Sequence, residues 1–455
     1  MAKKRYKLLL INPLNTRRIG LIRDIESIYP PMSLGLLAAL TPDNWDVEIL
    51  DENFERFAYR EADLVGFTAL TSSVHRSYEL AEIYRKNKIP SVIGGIHASM
   101  MPQEALTYVD TVVKGEAENI WPQVIKDFET GKMQKIYEGK LLPMVDSPKP
   151  RIDLYHPGYT FGSIQTTRGC PMRCEFCSVH TFNGTKYRPR PVEEVVEEYA
   201  LIPKKKVYFI DDNLVGYSKT SAERIKKICR LIIKSGIKKD WFCSASMNIG
   251  QDEELMELMS GAGCRMIFLG IESEEVEQLQ SVHKDMNLKI GVDNFSKIYD
   301  TLHKYRIAVL GAFIFGLDTD TADSIRRRTD YILNSSIDAI QTTILTPLPG
   351  TLLYKRFEKE KRLLYTDYPA DWERYSFSEV VYKPKLMEVR EFEDVVRESW
   401  ERIYNEKAIG KRFIKSLKTT RDSETARWAY GSNVQYHNLF FEGKYEHLDA
   451  GKLFR

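Results

Sequence analysis

The chain has 455 residues, 43% of them apolar and 29% charged, with 66 basic side chains against 64 acidic ones. That balance excludes a disordered chain and gives no electrostatic footprint for nucleic acid, and no stretch is apolar for long enough to span a bilayer. The length exceeds one ordinary core and predicts two or three domains.

The opening "MAKKRYKLLLINPLN" has a basic head, but its apolar run stops at Asn12 and Pro13, too soon for a signal peptide. A cytoplasmic protein is expected. Over residues 1–140, short apolar runs at 7–13, 47–52, 64–70, 91–96 and 111–116 read as strands, and the segments between them have helical spacing. Unbroken apolar strands alternating with helices predict an α/β, doubly wound, flavodoxin-like domain whose ligands sit at the carboxyl ends of its strands. Those ends carry Asn12, Pro13, Thr68, Ser72, Ser73, Gly94, Gly95, Gly115 and Glu116.

A linker rich in proline and charge, set at 141–160, precedes a second strand-helix series over 161–364. Its six units ("SIQTTRG", "KVYFIDDNL", "WFCSASM", "RMIFLGIES", "AVLGAFIFGL", "AIQTTILTPLPGT") predict a partial (β/α)6 barrel with its chemistry at one mouth. Residues 365–455 read as a mainly helical cap, with one long helix over 388–417 and a final aromatic stretch without a clear period. Tyr368, Trp372, Tyr375, Trp428 and Tyr436 are candidates to line a pocket for a bulky substrate. The basic stretch 407–421 is a candidate for peripheral contact with an anionic membrane, against a plain solvated helix face.

Half of the six cysteines fall in "TTRGCPMRCEFCSVH" (166–180), a loop after a predicted strand. In a reducing compartment such a cluster points to metal rather than disulfides. Cys170, Cys174 and Cys177 can hold three irons of a cubane cluster and leave the fourth open, or, with His180 as fourth ligand, a zinc ion. Cys229, Cys243 and Cys264 are scattered, and buried packing is expected for them.

The cysteine spacing resembles the radical S-adenosylmethionine superfamily, and further motifs extend the likeness. Phe176 matches the aromatic that packs on the adenine. Asp211, Asp212 and Asn213 of "FIDDNL" are similar to the form found in the branch with an amino-terminal cobalamin domain. Ser244 at a strand end, Glu272 and Ser273 of "GIES", and Gly311 and Phe313 of "GAFIFGL" match further cofactor contacts. "SVIGGIHASMMPQEAL" resembles the cobalamin domain itself and adds His97 to its contacts, although no Asp-x-His-x-x-Gly loop supplies a lower axial histidine.

The resemblance implies one 4Fe-4S cluster, S-adenosylmethionine and cobalamin as cofactors, and methyl transfer to an unactivated carbon through a 5′-deoxyadenosyl radical. A radical enzyme of this architecture that does not methylate is the alternative, and a zinc-bound scaffold is a third reading. The implied partners are a small-molecule, lipid or peptide substrate and an external electron donor of flavodoxin or ferredoxin type.

Overall fold

The structure, a computed structural model, describes residues 4–15 and 29–441. Two parallel six-stranded sheets organise it. The first comprises β1 (Tyr6–Asn12), β2 (Trp45–Asp51), β3 (Leu64–Thr68), β4 (Ser91–Gly94), β5 (Thr111–Lys114) and β6 (Ile136–Glu138), in the order β2-β1-β3-β4-β5-β6. The five expected strands form, and the order reverses at the β1/β3 junction, which opens a crevice beyond their carboxyl ends. β6 is an addition. Its three residues bury only Tyr137, too little to leave a period in the sequence.

The second sheet runs β7-β10-β11-β12-β13-β14, with β7 at Phe161–Ile164, β10 at Lys206–Phe209, β11 at Asp240–Ala245, β12 at Cys264–Glu272, β13 at Ala308–Phe315 and β14 at Ala339–Ile344. Between β7 and β10, the short strands β8 (Thr167–Arg168) and β9 (Arg188–Pro189) pair antiparallel and frame the cysteine loop. Every residue of β13 is buried: Val309, Phe313 and Phe315 pack in the main core, Ala308 and Leu310 in a separate cluster. That double burial explains why the strand reads as a continuous apolar run.

The separate cluster draws on the first halves of the strands: Phe161, Phe242, Met266, Leu310 and Ala339 pack with Tyr29 and with Trp428 and Tyr436 of the helix Ser423–Phe441. Tyr208 stacks on Phe242 with ring centroids 4.2 Å apart. The far end of the barrel is thus filled by aromatics, and room remains toward the carboxyl ends of the strands.

The cap differs from expectation. The long helix breaks in two, Val389–Tyr404 and Glu406–Thr420, because Asn405 accepts the Ala408 N–H at 2.9 Å and caps a new helix. The aromatic stretch is helical as far as Phe441, and the rest of it lies outside the described residues. It lacked a period because Trp428, Asn433, Leu439 and Phe440 bury several of its sides.

β14 is the open edge of the barrel, and side chains cover it. The Asn433 carboxamide accepts the Ile340 N–H at 3.3 Å and donates to Asp338 O at 2.8 Å. Tyr404 Oη accepts the Thr342 N–H at 2.9 Å and donates to Ile340 O at 3.2 Å. Phe377 O takes the Ile344 N–H. Edge groups that would otherwise template aggregation are therefore consumed by the cap. Tyr404→Phe strands the buried Thr342 N–H at a cost of about 1–3 kcal/mol; a lowered thermal unfolding midpoint checks this, and an unchanged midpoint refutes it.

Candidate functional site: two cavities with a common wall

A cavity of about 750 Å³ lies over the carboxyl ends of β1, β3, β4 and β5 and is closed on its other side by Ser163, Gln165, Arg168 and Ile210 of the barrel. Asn12, Pro13, Thr68, Ser72, Ser73, Gly94, Gly95, Gly115 and Glu116 all line it. Gly95 has φ +98°, and a Cβ there would meet the Ala69 nitrogen at 2.9 Å, so only glycine lets β4 turn under the cavity.

His97 does not line this cavity. It is 1% exposed, with Nδ1 3.3 Å from Thr71 Oγ1 and Nε2 3.2 Å from Glu104 Oε1. Glu104 also accepts from Trp372 Nε1 at 2.9 Å, so the imidazole, satisfied at both nitrogens, ties the cap to the first domain. Burial raises the Glu104 carboxyl, but the hydrogen bonds from His97 and Trp372 outweigh it and hold it below the usual carboxylate range. Among the described residues no histidine lines the large cavity.

A second cavity, of about 220 Å³, opens at the carboxyl ends of β11 and β12. Cys170, Cys174 and Cys177 line it together with Phe176, Asp212, Ser244 and Glu272. The loop that presents the thiols is tightly built. Gly169 has φ +90°, and a Cβ there would lie 2.1 Å from Lys186 O. The Cys170 N–H donates to Gly184 O at 3.1 Å, and the Cys177 N–H to Cys174 O at 3.0 Å. Arg356 grips Glu175 with two bonds, of 2.6 and 3.0 Å, while the Leu353 N–H binds Glu175 O, which fixes the loop from a segment far along the chain.

Burial pushes the Cys177 thiol up to about 12 and raises Cys174 as well, so these thiols need a bound cation to ionise. Among the described residues, no three His, Cys, Asp or Glu side chains are gathered as a single-ion site. Zinc takes all its ligands at about 2.0–2.3 Å from one point, whereas a cubane cluster gives each thiolate a different iron. Three cysteines lining one cavity fit the cluster.

Two residues that sequence reasoning missed complete the cavity. Lys284 pairs with Glu272 at 2.6 Å. Burial lowers its ammonium pKa, but Glu272 and the neighbouring thiols outweigh this and hold it raised. Tyr217 Oη lies 3.4 Å from Cys170 Sγ and 3.1 Å from Ser246 Oγ. Glu272 itself sits at φ +64°, beside a register shift in β12, and Asn287 Nδ2 binds both Gly270 O and Ile271 O there. A non-glycine residue in this region persists only where its surroundings impose it.

Five expected contacts stand back from this cavity. Asp211 is buried and accepts from the Thr166 N–H at 3.0 Å and from the Thr166 and Thr167 hydroxyls, anchoring the strand end. Asn213 donates to Ser246 Oγ at 2.9 Å from behind. Ser273 bonds Gln278. Phe313 faces the main core, and a Cβ at Gly311 would meet Ile271 and Ile337. Asp211 and Asn213 lie in the loop beyond β10, and Gly311 and Phe313, two apart on β13, share the face turned to the core.

The short helix Val179–Phe182 divides the two cavities. Val179 and His180 face the smaller one; Phe182 and Asn183 face the larger. Asn183 Nδ2 donates to Asp212 Oδ2 at 2.9 Å, joining the two linings. Burial raises the Asp212 carboxyl, and the Asn183 bond offsets part of that.

Residues 164–332 match the Radical SAM superfamily, and residues 18–125 match the B12 binding domain. The chain belongs to the radical SAM superfamily, in its B12-binding branch. It is 28% identical over 407 residues to bacteriochlorophyllide d C-12(1)-methyltransferase of Chlorobaculum tepidum, covering 85% of this chain and 84% of that one. To the hopanoid C-2 methylase of Rhodopseudomonas palustris it is 29% identical over 387 residues, covering 79% and 72%. Among solved structures, the radical S-adenosylmethionine methyltransferase TsrM of Kitasatospora setae, with tryptophan and a cofactor analogue bound, superposes with a TM-score of 0.69 at 20% identity, over 88% of this chain and 89% of that one. The radical SAM enzyme thus shares its fold with TsrM over most of its length.

The burial of Asp211 pushes its carboxyl from 3.8 up to about 6. The folded state therefore holds a proton that the unfolded chain has released, and stability from this group is present at acid pH and falls as pH rises through this interval. Unfolding midpoints measured across that interval decline in the wild type, and Asp211→Asn, though less stable throughout, gives a flatter profile; parallel profiles refute the assignment.

Proposed function

We propose that the protein is a cobalamin-dependent radical methyltransferase that places a methyl group on an unactivated carbon of a bulky, lipid-like small molecule. The observation that carries this reading is the common wall. The cysteine cavity and the large cavity of the B12-binding domain lie on the two sides of one four-residue helix, so a radical source and a methyl carrier can address one substrate. The two methyltransferase relatives support the reaction, and their polycyclic substrates support the substrate class.

In this reading Cys170, Cys174 and Cys177 hold a 4Fe-4S cluster, and Phe176, Asp212, Ser244 and Glu272 with Lys284 hold S-adenosylmethionine. When bound, the cluster supplies the electron that splits S-adenosylmethionine, and cobalamin carries the methyl group. Lys284 and Glu272, held together, offer one cation and one anion to the polar ends of an amino-acid ligand. Gly94 and Gly95 give a flat macrocycle close access to the backbone. The filled end of the barrel and the cap exclude water, which a carbon radical requires. Tyr368, Trp372, Tyr375, Trp428 and Tyr436, expected to line a substrate pocket, line neither cavity; they pack in the core and in the barrel cluster. The electron comes from a low-potential carrier protein of flavodoxin or ferredoxin type, and the enzyme works in the cytoplasm. Among the described residues no helix is long and apolar enough to cross a membrane.

Reconstituted anaerobically with iron, sulfide and hydroxocobalamin, the wild type should retain about four irons with one cobalt, and turnover should yield a product heavier by one methyl. Cys170→Ala, Cys174→Ala and Cys177→Ala should each lose iron and keep cobalt. Zinc in place of iron, or 5′-deoxyadenosine released with an unmethylated product, overturns the reading.

Burial first, then the adjacent Cys170 sulfur, raise the Tyr217 hydroxyl well above its ordinary pKa, so it remains a donor. Hydrogen bonds to cluster sulfurs help set its reduction potential. Tyr217→Phe should shift the midpoint to more negative values in a redox titration followed by electron paramagnetic resonance; an unmoved midpoint removes Tyr217 from this role.

A further inference from the structure

We propose that the outer face of the cap helix Glu406–Thr420 docks on an anionic lipid bilayer. The helix has two unlike sides. Ile409, Arg412, Ser416 and Thr420 are buried against the cap, and the Arg412 guanidinium donates to Ile403 O at 2.6 Å. On the outside Lys407, Lys411, Ile414, Leu417, Lys418 and Arg421 are exposed, and each stands three or four residues from another of them, so they form one stripe. Ile414 is 54% exposed and Leu417 41%, with cations on both sides of them along the axis.

Several arginines on the helices flanking this stripe are neutralised locally. Arg397 and Arg402 on the preceding helix pair with Asp394 and Asp330, and Arg427 on the following one pairs with Glu424. Lys415 is turned inward and donates to Asn334 O and Ser335 O. Among the described residues Lys407, Lys411, Lys418 and Arg421 make no ion pair, and no acidic residue stands between Lys407 and Arg421; Glu406 lies at the start of the helix and Asp422, paired with Arg265, beyond its end. This run of unpaired cations leaves its charge available to an external anion.

The shape selects the partner. A protein interface concentrates its energy in an anchor seated in a pocket, and this surface is a convex rod about 21 Å long from Lys407 to Arg421. Two aliphatic side chains between basic residues suit the plane of a bilayer, where the aliphatics enter the acyl boundary and the lysines extend to the headgroups. Tyr430, 44% exposed and in edge contact with Phe413 at 5.4 Å, adds an amphipathic ring beside the stripe. Charge complementarity thus fixes an anionic surface, and the aliphatic pair fixes a lipid one. The docking does not rest on the catalytic reading.

The test is co-sedimentation of the full chain, loaded with iron and cobalamin, with vesicles of phosphatidylcholine alone or mixed with phosphatidylglycerol, at low and high salt. Binding is expected only with phosphatidylglycerol and should weaken with salt. Lys411→Gln and Lys418→Gln should each lower the partition coefficient about fivefold, and Ile414→Ser with Leu417→Ser about tenfold together. Arg397→Gln on the neighbouring helix should bind as the wild type does, and matching circular dichroism spectra should show that all variants fold. No binding, binding indifferent to phosphatidylglycerol, or binding untouched by the lysine variants overturns the proposal and leaves the stripe to an acidic protein. Sedimentation is read without turnover, so its failure leaves methyl transfer standing, and a failed methyl-transfer assay leaves the docking result intact.

Discussion

A carbon radical survives only where water is excluded and its target is within reach, so two cavities built by different domains must be held at one spacing. In this molecule the hairpin β8–β9 sets that spacing. Arg188 donates to both oxygens of Glu116, and Arg168 to Glu118, so the strands that frame the cysteine loop are bonded to the loop that lines the large cavity. These pairs are mostly buried, with side-chain exposures of 11% and 8% for Arg188 and Glu116. Such pairs add little net stability, because desolvation cancels most of the attraction, but a misplaced partner leaves a buried charge alone at a cost of about 3–5 kcal/mol. Their effect is to penalise every other docking of the two domains. Glu118 shows the balance: burial raises its carboxyl, Arg168 lowers it further, and the net position is below the usual range.

The same constraint explains the terminal segments. A six-stranded barrel is open, so its interior and its β14 edge need covering. Tyr29 from near one end of the chain and Trp428 and Tyr436 from near the other fill the interior, while Asn433 and Tyr404 satisfy the edge strand from their side chains. The cap therefore acts first as a wall. Its aromatics pack inward where the sequence suggested a substrate pocket, because a Trp such as Trp372, 0% exposed and bonded to Glu104, contributes more as part of a dry partition between domains.

What the sequence discloses follows from which interactions are local. Parallel strands buried on both faces appear as apolar runs, and a loop of three cysteines needs no distant partner to be noticed; both sheets and the cluster loop were legible for those reasons. Asp211 and Asp212 were read as one motif, yet in the loop beyond β10 one turns to the Thr166 N–H and the other into the cavity. Lys284 and Tyr217 were invisible because each meets its partner only across intervening elements; nothing about residue 284 marks it until β12 brings Glu272 to it. His97, a lone histidine beside two glycines, carried the wrong signal: its partners Thr71 and Glu104 lie on other elements, and together they satisfy it away from the cavity.

Those non-local partners also decide when the site can exist. Glu272 is kept in its left-handed conformation by the two bonds of Asn287 and by Lys284, and the cysteine loop is kept in place by Arg356, Leu353 and Val282. All of these come after β12 in the chain, and Arg356 is itself held by Asp318 beyond the end of β13. Until the last barrel strands have packed, the loop has no grip on Glu175 and the αL residue has nothing to impose its strain. The arrangement that places three thiols round an open position therefore requires the same closure that shields it, and a partly folded chain offers the loop without the geometry for radical chemistry.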